Sequence, residues 1–193
     1  YIYYIINFFS FQVCDKILTK RDVMKIAIID NDKIITKQVE DEKLNGRKGA
    51  IVKVLGCGLC GSDIVKFVHK ISKNGTVLGH EIVAQIVDIN SHHIPCGECV
   101  YCKHGNVSMC KHFKATNIRP GGFSEFVYLS EEHLKNVAHL KPENLTDIEA
   151  SFYEPLGCIV RAVKRANLLK GDEVLVALYV DKSGRLCATM KVY

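Results

Sequence analysis

A chain of 193 residues with 48% hydrophobic content can bury one real core, and its composition excludes a disordered polypeptide. The net charge of +5 comes from lysines that alternate with acids, so a solvated surface is expected and a nucleic-acid-binding stripe is not. Nine cysteines, an odd number and partly at metal-ligand spacing, point to a reducing compartment, the cytoplasm, and to metal thiolates rather than disulfides.

The first run, Tyr1-Ile2-Tyr3-Tyr4-Ile5-Ile6-Asn7-Phe8-Phe9, lacks a basic leader and a small-residue cleavage site. It is also shorter than the roughly 20 residues a spanning helix needs, so no membrane association is expected. Residues 1–23 share no pattern with the rest of the chain and read as an extension outside the fold, with Met24 as a natural start. Residues 25–30 and 33–39 alternate as strands around an Asn-Asp turn that suits a hairpin. Residues 50–55 form a buried strand that runs into a glycine-rich turn. Residues 62–70 have helical spacing in Ile64, Val65 and Val68, with Asp63 near the positive helix start. A long β-branched strand covers 81–89.

Residues 95–111 make a Cys-Gly-His lobe with too little apolar content for a core, so the lobe needs a staple. Another strand covers 123–129. Thr146 and Glu149 form a capping box. Leu156, Ile159, Val160 and Val163 then mark one helix face, which Lys170-Gly171 ends. A last strand begins at 173–176.

The strongest chemical signal is Cys96-x2-Cys99-x2-Cys102-x7-Cys110. Two-residue spacings let thiolates converge on one cation, and four sulfurs in a closed tetrahedral shell are what structural zinc prefers. An iron–sulfur cluster is the rival reading. A ferredoxin run brings its fourth cysteine sooner and follows it with proline, whereas Cys110 comes after seven residues and precedes Lys111.

A second constellation joins Cys60 in Gly58-Leu59-Cys60-Gly61-Ser62-Asp63, His80-Glu81 in Leu78-Gly79-His80-Glu81, and Glu154 in Tyr153-Glu154-Pro155-Leu156-Gly157. A thiolate, an imidazole and a carboxylate with an open position are the donor set of a catalytic zinc. Singly, each has a duller role: a core thiol, a satisfied histidine, a helix-start carboxylate. Gly56-Cys57-Gly58-Leu59-Cys60-Gly61 also matches the dinucleotide fingerprint Gly-x-Gly-x-x-Gly, with Glu81 as its downstream acid. Glu81, however, starts a strand instead of ending one.

The order of these motifs, with Gly121-Gly122-Phe123-Ser124-Glu125-Phe126 between lobe and helix, resembles the zinc-dependent medium-chain alcohol and polyol dehydrogenases. Glu154-Pro155-Leu156 is most similar to the sorbitol, threonine and butanediol dehydrogenase branch. The resemblance implies a mainly β fold with a few helices: a GroES-like partial β-barrel with a structural zinc lobe, over residues 24–176. It also implies Cys60 and His80 as direct ligands of a catalytic zinc, with Glu81 and Glu154 supplying the remaining carboxylate, one directly and the other through water. Ser62 would relay the alcohol proton and Asp63 would orient His80. Cys96, Cys99, Cys102 and Cys110 would hold the structural zinc.

The reaction implied is oxidation of a small secondary alcohol or polyol by hydride transfer to NAD(P). Oligomers are known in the family, but nothing in this sequence supports one.

Two departures stand out. Ser91 leads straight to His92-His93-Ile94-Pro95, where the family has a Gly-Asp-Arg-Val strand, so an internal deletion near 91/92 is expected. Gly171-Asp172-Glu173-Val174-Leu175-Val176 reads like the family's first cofactor-domain strand. Residues 177–193 continue instead as an atypical tail, a strand with a turn. The Rossmann half, and with it the NAD(P) site, is therefore expected to be absent, leaving a chain inactive alone. A non-catalytic zinc-binding module is the alternative, and a nucleic-acid-binding zinc protein a weaker one.

Overall fold

Alternation of apolar and polar residues sets up the first element of the computed structural model, which describes residues 22–85, 87–89, 93–180 and 186–192. Strand β1 (Val23–Asp30) turns Met24, Ile26 and Ile28 to one buried face and pairs antiparallel with β2 (Lys33–Glu40). Asn31 and Asp32 between them have φ of 44° and 64°. Two successive left-handed residues make the tight hairpin turn whose twist matches the flanking strands.

The chain continues with β3 (Gly49–Gly58), helix α1 (Gly61–Val68), β4 (Glu81–Ala84) and β5 (Val87–Ile89). The cysteine lobe comes next, with α2 (Val100–Lys103), a 3-10 turn (Val107–Met109) and α3 (Lys111–Ala115). Then come β6 (Phe126–Ser130), α4 (Glu131–Asn136), β7 (Ala138–Leu140), α5 (Asp147–Ser151) and α6 (Tyr153–Ala166). Strand β8 (Val174–Val180) pairs antiparallel with β9 (Leu186–Val192), and the turn expected in the tail lies outside the described residues.

Five strands form one antiparallel sheet in the order β6-β3-β4-β5-β7. The first half of β3 pairs with β6 and its second half with β4, the register shifting between Val54 and Gly56. This switch brings the end of β3, at Gly58, beside Glu81 at the start of β4. Two apolar clusters hold the arrangement. Met24, Ile26, Ile28, Ile51 and Phe126 join the first hairpin to β3 and β6. Ile82, Ala84, Ile94, Ile118, Val127, Leu129, Val137 and Ala138 fill the other side. Each large aliphatic side chain buried in this way stabilises the fold by about 1.5–3 kcal/mol.

The architecture is mainly β with a few short helices, as expected, but two local expectations are corrected. The run expected as one strand over 81–89 folds back on itself, with Val83 opposite Asp88 in an antiparallel pair. The bend comes after β4, where the Gln85 N–H donates to the Lys53 carbonyl. Helix α6 stops at Ala166 rather than at Lys170-Gly171, because Asn167 takes the left-handed conformation at φ 52° and acts as the C-cap.

The apolar helix faces turn outward. Ile64 and Val68 on α1, and Leu156, Ile159, Val160 and Val163 on α6, lie on the surface, while Asp63 is buried. Helical spacing marks a face without saying which way it points.

The expectation for residues 1–23 falls, up to residue 21, outside the described residues, as do positions 90–92 at the expected deletion. Among the described residues no helix is long and apolar enough to cross a membrane.

Candidate metal centres

The cysteine lobe builds its site from short-range geometry. Gly97, at φ 76°, turns the chain back after Cys96, so that the Cys99 N–H faces Cys96 Sγ at 3.4 Å. Cys99 and Cys110 occupy the extended positions just before α2 and α3. The sulfurs converge: Cys99–Cys102 are 3.5 Å apart, Cys110–Cys96 3.6 Å and Cys96–Cys102 3.9 Å. Sulfurs at the corners of a tetrahedral zinc site stand about 3.8 Å apart, given bonds of about 2.3 Å, whereas a disulfide would need about 2.05 Å.

Charge supports the same reading. The backbone N–H groups of Cys96 and Phe113 pull the Cys110 thiol down to about 6, while burial and the Cys99 thiol push Cys102 up to about 12. Four clustered thiols cannot all ionise unless a cation offsets them. The lobe could therefore bind zinc, and the donors present fit it. Val100 and Met109 are exposed, so apolar packing alone does not hold the lobe.

The second cluster sits where β3, α1 and β4 meet. The donor atoms of Cys60, His80 and Glu81 lie within 4.8 Å of one another. Cys60 caps α1, accepting the Ser62 N–H at Sγ (3.4 Å), while its own N–H donates to Asp63 Oδ2 at 3.3 Å. Asp63, 1% exposed, accepts the Gly79 N–H at 3.3 Å and sits 3.4 Å from His80 Nδ1. Nδ1 is thus engaged, and Nε2 lies 3.5 Å from Ser62 Oγ. A Cβ on Gly58 would overlap Glu81 Oε2, so only glycine leaves room for that carboxylate over the strand end.

Burial alone would lower the His80 pKa. Its hydrogen bond to Asp63, the Asp63 charge and the Cys60 thiol outweigh burial and raise it to about 9. Burial works to raise Asp63, and the bonds to His80, Gly79 and Cys60 hold it below the ordinary carboxylate value. The metal-free cluster is therefore a charged pair that a cation would enter by displacing the imidazole proton.

Glu154, in the first turn of α6, is not among the three converging donors. It is nevertheless close: burial raises its pKa, with Glu81 and Asp63 adding to that and His80 opposing it. Every expected site residue thus lies in one of the two clusters or beside one. The alternative reading of Gly56-x-Gly58-x-x-Gly61 as a dinucleotide loop loses ground, because Glu81 turns its carboxylate to Cys60 and His80 at the start of an antiparallel strand.

Two neighbours escaped the sequence reading. Cys158, one turn after Glu154 on α6, is raised by burial and by the charges of Glu154, Cys60 and Glu81, which places it beside the cluster. Lys66 lies half-buried on α1, one turn after Ser62 and within electrostatic reach of His93. Neither residue belongs to one of the motifs, and only the helical offset of four from Glu154 and from Ser62 could have signalled them.

Comparison with known proteins agrees with this geometry. Residues 46–139 match the family described as "Alcohol dehydrogenase GroES-like domain". A sorbitol dehydrogenase from Halalkalibacterium halodurans is 30% identical over 156 residues, covering 72% of this chain and 44% of the relative. A D-arabitol-phosphate dehydrogenase from Enterococcus avium is 30% identical over 147 residues, covering 66% of this chain and 40% of the relative. Among solved structures, an alcohol dehydrogenase from Thermus sp. ATN1 superposes with a TM-score of 0.64 at 25% identity, over 77% of this chain and 49% of that one. Other similar structures hold NAD or NADP. The chain spans less than half the length of these curated relatives.

Proposed function

From the premise that residues 46–139 are an alcohol dehydrogenase GroES-like domain, we propose that this chain supplies the zinc-binding catalytic apparatus of an NAD(P)-dependent alcohol or polyol dehydrogenase. The observation that carries this reading is the convergence of Cys60, His80 and Glu81 around one point, with Asp63 holding the far side of the imidazole. Zinc at that point would polarise the substrate hydroxyl as a Lewis acid and lower its pKa.

The chain's own residues do the rest. Asp63 fixes the ring and keeps Nε2 of His80 directed at the open side, which also raises the basicity of the ligand. Cys60 and Glu81 complete the donor set, and Glu154 offers a further carboxylate within electrostatic reach. Ser62, exposed and 3.5 Å from His80 Nε2, is placed to take the proton from the alcohol and hand it to solvent. A nicotinamide cofactor, when bound, would supply the hydride acceptor. The lobe of Cys96, Cys99, Cys102 and Cys110 has a closed shell and serves to hold shape.

The domain proper is assigned to residues 24–176. Every sheet among the described residues is antiparallel.

Elemental analysis tests the reading. Two zincs per chain, falling to one in Cys60→Ser or His80→Ala, are expected. One zinc in the unaltered chain would instead favour a zinc-holding module without catalysis, a reading that rests on the lobe alone. Iron with a brown absorption band would overturn both.

A further inference from the structure

Helix α6 reaches from one metal cluster to the other along a single face. At about 100° per residue, Glu154 at 0°, Cys158 at about 40°, Arg161 at about −20° and Arg165 at about 20° fall in one stripe. The eleven positions from Glu154 to Arg165 make about three turns. The exposed apolar residues Leu156, Ile159, Val160 and Val163 share the opposite side. Glu154 and Cys158 stand within electrostatic reach of Glu81. Arg165, about 16 Å further along the axis than Glu154, donates from Nη2 to Asn106 Oδ1 in the cysteine lobe.

The helix needs that second hold. None of its 14 residues is buried, and a helix of this length is marginal in water without packing. At its start Tyr153 packs edge-on against the His139 ring, with centroids 5.5 Å apart. Beside that contact lies a cleft of about 280 Å³ lined by His139, Leu140, Phe152, Tyr153 and Leu156, so the first turn is loosely seated. A rod anchored at one end swings. Anchored at both ends, its axis and the direction of its polar stripe are fixed, and a reactive site feels misplacements of about 1 Å.

Asn106 is set to receive Arg165. It stands between Cys102 and Cys110, inside the loop that the sulfurs close, and its N–H donates to the Tyr101 carbonyl at 2.7 Å. It also opens the 3-10 turn Val107–Met109, a position where an asparagine side chain ordinarily caps the backbone. Here no such cap forms, and the amide oxygen accepts from the guanidinium instead. The helix dipole favours a cation in the last turn of α6 whichever way it points. It accounts for Lys164 and Arg165 alike, and not for the contact with Asn106.

We propose that Asn106 and Arg165 are positioning residues through which the cysteine lobe holds α6, and that the lobe thereby sets Glu154 at the catalytic cluster. This rests on the two-centre dehydrogenase reading above. A lobe closed on its metal holds Asn106 in place, so filling the lobe tightens metal binding at the catalytic cluster, and the coupling is reciprocal.

Zinc titration of the full chain against a coloured chelator, with circular dichroism to check folding, tests this. Glu154→Gln should weaken the catalytic zinc about tenfold. Arg165→Met and Asn106→Ala should each weaken it about threefold, the reach of one hydrogen bond, with the lobe zinc retained. Arg165→Lys still donates and should keep most of the affinity. Lys164→Met removes the same charge from the same turn and should change nothing. In the Glu154→Gln background Arg165→Met should add no further loss, whereas a merely structural role would add the same loss in both. An unchanged catalytic site in Arg165→Met or in Glu154→Gln, or an undiminished loss in the double variant, overturns the proposal and leaves the dehydrogenase reading standing. A single zinc per chain that Cys60→Ser leaves in place overturns both. Asn106→Ala carries the same comparison should Arg165→Met not fold.

Discussion

Asp63 Oδ1 lies 3.4 Å from Nδ1 of His80, although seventeen positions separate the two residues along the chain. The same carboxylate accepts N–H groups from Gly79 and Cys60, so one buried side chain ties together both segments that carry the donors.

Replacing that carboxylate should therefore weaken the catalytic site without touching the lobe. Asp63→Asn keeps the shape and removes the charge that orients and polarises His80. Zinc affinity at Cys60, His80 and Glu81 is expected to fall about 10- to 100-fold. Competition with a coloured chelator should show one zinc released more readily and the other unchanged.

The lobe should behave as an all-or-none staple. Cys99→Ser removes one of four sulfurs that stand 3.5–3.9 Å apart. Loss of one zinc per chain is expected, together with rapid proteolysis between residues 96 and 110. Chelator treatment of the unaltered protein should produce the same cleavage, because metal binding and folding are coupled in such lobes.

Gly122 has no room for a side chain. A Cβ there would stand 2.5 Å from Cys57 Sγ and 2.7 Å from Ile82 Cγ1. Gly122→Ala should destabilise the protein by about 1–3 kcal/mol, as overpacking does. The pair Gly122→Ala with Cys57→Ala should recover part of the loss, measurable by denaturant unfolding of single and double variants.

Cys57 itself should make stability fall in alkali. Burial, with the charge of Asp63 adding to it, raises its pKa from 9.0 to about 12. The folded state then holds a proton that the unfolded chain gives up. The thiol's contribution is fully present below pH 9 and is lost as pH rises from about 9 to about 12, at no more than about 1.4 kcal/mol per pH unit. Cys57→Val should flatten that part of the stability profile.

Much of this was legible in the residues. Cys96, Cys99 and Cys102 are close in sequence, so their convergence is nearly a local matter of turn geometry. The Asn31-Asp32 hairpin and the Thr146–Glu149 capping box are local in the same way, and both formed where expected. The donor types at Cys60, His80, Glu81 and Glu154 could likewise be named from motif order. What their positions in the motifs left open was direction. Gly56, Gly58 and Gly61 fit a phosphate loop as well as a metal site until Glu81 was seen to turn toward Cys60 and His80.

The sequence by itself determined which chemical groups this protein has and the short-range turns that bring lobe sulfurs together, because caps, tight turns and two-residue spacings involve only near neighbours. The tertiary structure decided which face of each helix looks inward, where the 81–89 run bends, and that Arg165 meets Asn106. Those outcomes depend on which distant segment supplies a partner. Asp63 is buried because His80 and Gly79 meet it there, and Ile64 is left outside by the same rotation of the helix. Periodicity is unchanged by turning a helix about its axis, so only packing against β4 and its flanking residues could choose between the two faces.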